Sequence, residues 1–164
     1  MRHGTRLGVD VGRARIGVAR SDPSGLLATP VETVPRDTTR ERHVAAIVAH
    51  VVETDAIEVL VGLPLSLAGG DTPSTTDARD VAAAIAEATE VPVRLVDERL
   101  TTVTAARQLR DVGRSASRSR DRIDQMAAVV LLQNALDAER STGREPGAPV
   151  ERRDEDSVGS EPKR

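Results

Sequence analysis

The 164 residues leave room for one domain of ordinary size, with a core that needs neither disulfides nor a structural metal. The absence of cysteine excludes disulfide frameworks, zinc-thiolate sites, iron-sulfur clusters and thiol nucleophiles, and the absence of Phe, Tyr and Trp excludes aromatic stacking of splayed bases. The net charge of -3 is unevenly spread: residues 1–20 carry five Arg against one acid, and residues 107–122 carry six Arg against two. Nearly all the cations are Arg, with Lys163 the only lysine; this suits forked contacts to phosphate and equally fits a bias in genome composition. Any bound nucleic acid would be gripped by its backbone.

Three strand-like runs come first, at residues 5–11, 15–20 and 26–34; the turn-rich Ser21-Asp22-Pro23-Ser24-Gly25 separates the last two, and the three read as an antiparallel meander. Thr38-x-x-Glu41 has the form of a capping box, and Val44, Ile47, Val48 and Val51 follow at amphipathic helical spacing. Residues 57–62 form a short apolar strand, after which Thr72-Pro73 opens a helix carrying Ala78, Val81, Ala82 and Ile85. Residues 93–96 predict a fifth strand, Thr101 or Thr102 can cap a helix ending at Gly113, and a further helix runs over about residues 123–139. The polar, basic segment 113–120 reads as a mobile loop. Residues 1–140 are expected to form the domain, and residues 141–164, rich in Gly, Pro, Ser and charge, a disordered tail. No run approaches membrane-spanning length, so neither a signal peptide nor a membrane helix is expected and the location is read as cytoplasmic.

This order predicts an α/β fold with a mixed five-stranded sheet, three antiparallel strands then parallel crossovers, flanked by helices. It is similar to the ribonuclease H-like layout, in which the first strand is central.

Three acids stand out on that layout. Within Leu7-Gly8-Val9-Asp10-Val11-Gly12, alternation puts Leu7, Val9 and Val11 on one face and Gly8, Asp10 and Gly12 on the other, so Asp10 stands beside bare backbone. A bound cation would neutralise it, and an ordinary turn acid before Gly12 is the competing reading. Asp97-Glu98-Arg99 lies at the carboxyl end of the fifth strand, where crevices of open sheets form, and Glu98 is either a site acid or a surface acid paired with Arg. Asp124 shares a helical face with Ala127, Ala128 and Leu131; it heads an apolar stripe or serves only to stabilise the first helical turn. Together the three make an all-oxygen set suited to Mg2+ or Mn2+, and two such ions can activate water and stabilise the leaving oxygen in phosphodiester hydrolysis. His43 and His50 read as ordinary helix residues and His3 as disordered. The loop 62–70 is either a glycine-rich connection or a place for phosphate to approach.

Gly8-Val9-Asp10-Val11-Gly12 with Arg15-Ile16-Gly17-Val18-Ala19, Gly62-Leu63-Pro64, Asp97-Glu98-Arg99-Leu100-Thr101-Thr102 and Asp124-Gln125-Met126-Ala127-Ala128 resemble, in that order over about residues 5–137, the motifs of the YqgF (RuvX) family. These ribonuclease H-like proteins are similar to Holliday junction resolvases and are assigned as candidate nucleases for the 5′ end of pre-16S ribosomal RNA. The resemblance implies that Asp10, Glu98 and Asp124 are metal-binding catalytic acids, and that Arg15 and Arg99 contact substrate or orient acids. Arg114, Arg118 and Arg120 are candidate phosphate contacts of the basic segment. The implied partners are structured RNA such as pre-rRNA, or branched DNA, and a ribosomal particle, for a monomer or homodimer. A junction resolvase would need the dimer to make paired cuts. A nucleotide-binding protein with an actin-like first phosphate motif and a non-catalytic RNA-binding module are the remaining readings.

Overall fold

The computed structural model describes residues 1–99 and 117–152, without the side chains of residues 117–124. The helix expected at 101–113 and Arg114 therefore lie outside the described residues. In chain order the elements are β1 (Arg6–Val11), β2 (Arg15–Ser21), β3 (Ala28–Pro35), α1 (Glu41–Thr54), β4 (Glu58–Leu63), α2 (Pro73–Ala88), β5 (Val93–Asp97), α3 (Ser117–Thr142) and β6 (Ala148–Pro149). They build one sheet of order β3-β2-β1-β4-β5-β6. β1, β2 and β3 pair antiparallel, β4 and β5 are added in parallel, and β6 returns antiparallel.

Every residue of β1 is buried, because the strand is central and covered on both faces. Leu7, Val9 and Val11 join Ile16, Val18, Ile47, Val51, Val81 and Ile85 in the core beneath α1 and α2. The opposite face is built from small residues. There Ala19, Ala28 and Leu60 meet Ala127, Ala128, Leu131, Leu132 and Ala135 of α3. A Cβ on Gly8 would come within 2.8 Å of Leu132 Cβ and 3.1 Å of the Ala128 carbonyl oxygen, so α3 rests almost directly on the β1 backbone. Gly8 and the alanines set the height of α3 above the sheet.

Several elements differ from expectation. Thr38 and Glu41 form no capping box: the residue before α1 is Arg40, at φ 63°, and Asp37 accepts from the backbone N–H groups of Arg42 (3.4 Å) and His43 (3.3 Å). The acid four residues ahead of the helix outcompetes the shorter threonine as a cap. At α2 the expected cap is present, with Thr72 and Thr75 bonding reciprocally and Pro73 in the first turn. Residues 117–120, expected as loop, belong to α3. The sheet has six strands, not five, and β6 comes from the segment read as tail. Val150 N–H donates to the Val93 carbonyl at 2.8 Å, and the Arg94 guanidinium donates to the Pro146 (2.6 Å) and Gly147 (2.9 Å) carbonyls. A two-residue Ala-Pro strand has no periodicity to read; it forms because β5 offers an open edge.

At the amino end of the central strands lies a charged cluster of a kind that strand patterns do not announce. Arg6 and Glu58 are fully buried and Glu139 nearly so. Arg2 bonds Glu58 (2.8 Å) and Glu139 (2.7 Å), and Arg6 bonds Glu139 (3.2 Å). These ion pairs tie the N-terminus and the end of α3 to the sheet. Among the described residues, no helix is long and apolar enough to cross a membrane.

Candidate functional site

The parallel strands end together at one edge of the sheet, and the sequence places acids there. Asp10, next to last in β1, is 1% exposed, and Glu98, just beyond β5, is 4% exposed. Glu98 N–H donates to the Leu63 carbonyl at 3.2 Å, which continues the β4–β5 pairing and fixes the Glu98 backbone. Its carboxylate then folds across Gly62: a Cβ built on Gly62 would lie 2.3 Å from Glu98 Oε1 and 3.2 Å from Leu131 Cδ2. Gly62 therefore faces α3, and only a residue without a side chain leaves the space that the Glu98 carboxylate fills.

Asp10 belongs to the same crevice. Val9 pairs with Val61 in parallel register, so Asp10 and Gly62 are the next residues on adjacent strands, about 4.8 Å apart across the sheet. Asp10 shares the α3 side with Gly8, as the alternation predicts, while Val9 and Val11 face the opposite core. Register and alternation thus put two buried acids, Asp10 and Glu98, on the α3 side of the sheet. Asp124 lies on α3 eight residues before Leu132, the contact of Gly8, but its side chain is outside the described residues. Among the described residues no three His, Asp or Glu side chains form a metal-binding group. Two carboxylates over bare glycine backbone form a hard, all-oxygen donor set of the type that holds Mg2+ or Mn2+.

The expected arginines have divergent fates. Arg15 opens β2, half-buried, and its carbonyl accepts from Gly12 N–H at 2.9 Å in the tight β1–β2 turn, at the same edge as the acids. Arg99 orients the acid two residues before it. Its guanidinium forks onto Asp97 (Nη2–Oδ2 2.7 Å, Nε–Oδ2 3.1 Å), and this bond holds the Asp97 carboxyl below the usual carboxylate range. Nη1 of Arg99 reaches to where a Gly69 side chain would stand, so the pair braces the loop that follows β4. Arg118 and Arg120 lie in the first turns of α3, with side chains outside the described residues.

Two contributors escape a reading of the sequence. Gly62 was legible as part of a family motif and of a glycine-rich loop, but its use was not, since that depends on a carboxylate arriving from another strand. Arg36 joins Asp77 of α2 in a forked pair, with Nη2–Oδ1 at 2.8 Å, and donates from Nη1 to the Gly12 carbonyl at 3.1 Å. It fastens the β1–β2 turn, two residues beyond Asp10, to α2.

A mixed sheet of this order, with α3 across one face and buried acids at the ends of β1 and β5, defines a ribonuclease H-like protein. Its fold is shared with the Thermus thermophilus structure titled RuvC in complex with Holliday junction substrate, with a TM-score of 0.52 and 20% identity, over 90% of this chain and 99% of that one. The family model of RuvX, described as Holliday junction resolvase, matches residues 4–138, and the chain belongs to that family. A relative from Clavibacter michiganensis subsp. michiganensis named "Putative pre-16S rRNA nuclease" is 57% identical over 152 residues, covering 93% of this chain and 94% of its own. One of the same name from Leifsonia xyli subsp. xyli is 53% identical over 155 residues, covering 93% and 98%.

Proposed function

We propose that the protein is a divalent-metal-dependent endonuclease that matures the 5′ end of pre-16S rRNA in the cytoplasm, with Asp10, Glu98 and Asp124 as its catalytic acids. The observation that carries this reading is the Glu98 carboxylate seated over Gly62, beside buried Asp10 at the carboxyl edge of the sheet. The names of the relatives support the substrate. When bound, Mg2+ or Mn2+ would supply an activated water and charge stabilisation at the leaving oxygen of a phosphodiester.

The chain's own residues do the rest. Asp10 and Glu98, held by β1 and by the Glu98–Leu63 backbone bond, supply ligand oxygens from rigid strands, so the ligand geometry is set before substrate arrives. Burial under α3 removes competing water and strengthens each charge contact. Asp124 would close the ligand set from α3. Arg15, and Arg114, Arg118 and Arg120 of the basic segment, would hold the phosphate backbone.

The description of the family model names a second reading, cleavage of a four-way DNA junction. Both are tested by incubating wild type and Asp10→Asn with Mg2+, Mn2+ or EDTA on a folded RNA bearing a ribosomal 5′ extension and on a four-way DNA junction. The expected result is RNA cleavage that requires metal and falls by roughly 10²-fold or more in the variant. Paired symmetric cuts in the junction alone would transfer the reading to resolution, and cleavage that survives EDTA or Asp10→Asn would overturn the assigned site.

A further inference from the structure

Around the corner of the sheet edge from the acids, a cavity of about 400 Å³ is lined by Arg13, Arg36, Asp37, Thr38 and Arg40. Its charges divide into those already employed and those left over. Arg36 is neutralised by Asp77 and anchored on the Gly12 carbonyl. Asp37 is spent on the start of α1, where it accepts from Arg42 N–H, His43 N–H and the Thr39 hydroxyl. Arg13 is exposed and makes no ion pair among the described residues, and Arg40 meets only Asp80, at a loose 3.6 Å. Arg40 also keeps a left-handed backbone, φ 63°, at a position where glycine or asparagine would be easier. Strain of this sort is concentrated where a side chain has to be aimed.

Resting on the nuclease reading above, we infer that this cavity is a phosphate-backbone subsite, in which Arg13 and Arg40 grip the nucleic acid after it has crossed the catalytic acids. Arg36 bonds the carbonyl of Gly12, which follows β1 and stands two residues, about 7 Å of backbone, beyond Asp10, so the cavity adjoins the β1–β2 turn at the acids' end of the strand. The acids face α3 while the cavity opens beside α1, so a strand reaching both must straddle the sheet edge, over the β1–β2 turn. Phosphate is the matching ligand chemistry: the surplus groups are guanidiniums, which fork onto phosphate oxygens, and no ring lines the cavity to stack on a base.

The test uses the full chain carrying Asp10→Asn, so that binding is measured without cleavage. Binding of the folded RNA and of the DNA junction is titrated against salt for this parent, for added Arg13→Gln/Arg40→Gln, and for added Arg13→Lys/Arg40→Lys. Loss of two phosphate contacts lowers the log-log slope by roughly 1.4 to 1.8, at 0.7 to 0.9 per contact, with weaker binding in the Gln pair; the Lys pair, which keeps the charge, restores the slope. An unchanged slope in the Gln pair overturns the subsite and leaves the nuclease reading standing, whereas equal loss in both pairs makes the arginines structural and also overturns it. A parent that binds neither nucleic acid removes subsite and nuclease reading together, and wild-type cleavage of the same substrates separates these cases.

Discussion

Two glycines of the α3 face use close approach for different ends. At Gly62 the atom that a methyl group would strike is the tip of a carboxylate, which can swing away, whereas at Gly8 it is the Cβ of Leu132 and the backbone of α3, which cannot. Gly62→Ala should therefore lower kcat by roughly 10²-fold through displacement of Glu98, with only a small change in the denaturation midpoint. Gly8→Ala should cost about 1 to 3 kcal/mol of stability by overpacking, measurable by urea unfolding, and lower activity by lifting the helix that carries Asp124. Similar stability losses in both variants would refute the distinction. Asp10 was legible because alternation alone puts it among glycines on a single face; the roles of Gly62 and Arg36 were not, because they depend on partners 36 and 41 positions away.

Among the elements, α1 starts on two acid-sensitive groups, His43 and Asp37. His43 is fully buried in its first turn, with Nδ1 2.8 Å from Asp37 Oδ1; burial pushes its pKa below the ordinary value, and Asp37 only partly opposes this. The unfolded chain takes up that proton near pH 6.5 and the folded chain only at lower pH, so His43 contributes stability that is present above about 6.5 and lost as pH falls through its folded pKa. Asp37 acts lower down. The Thr39 hydroxyl above all, then the backbone N–H groups of α1, hold its carboxyl at about 2, so its contribution is present above about 3.9 and is lost as pH falls towards 2. Glu139 is also held below its ordinary value: burial pushes it up, but the Arg2 and Arg6 contacts outweigh that. Stability measured by denaturant from about pH 3 to 8 should decline in two stages, and His43→Gln should abolish the upper one. A single stage below about pH 4.5 in the wild type would contradict this account. The hydrophobic spacing of α1 was readable from Val44, Ile47 and Val51, but the cap and the burial of His43 were not, since both depend on how the chain enters from β3.

For the molecule as a whole, the charged cluster and β6 fasten residues 2–6 and 145–150 to the sheet, and Glu145 joins the two. Deleting residues 143–164 would strip β6 from β5 and remove the Glu145 contacts to Arg2 and Arg94. The expected outcome is a loss of about 1 to 3 kcal/mol together with concentration-dependent association through the bared β5 edge, seen by light scattering. An unaltered midpoint and a monodisperse solution would show that β6 protects nothing. The layered α/β fold, the alternation that turns Asp10 towards α3, and the family could all be read along the chain, because periodicity and short motifs are local and are carried by consecutive side chains. It took the folded chain to seat Glu98 over Gly62, to pair Arg99 with Asp97, to make Asp37 the cap of α1 and to add a sixth strand from the tail. The Glu98 and β6 contacts join elements distant in sequence and exist only once the sheet order and register bring the partners together, whereas the Arg99 and Asp37 contacts are short-range and depend on the backbone path of their loops.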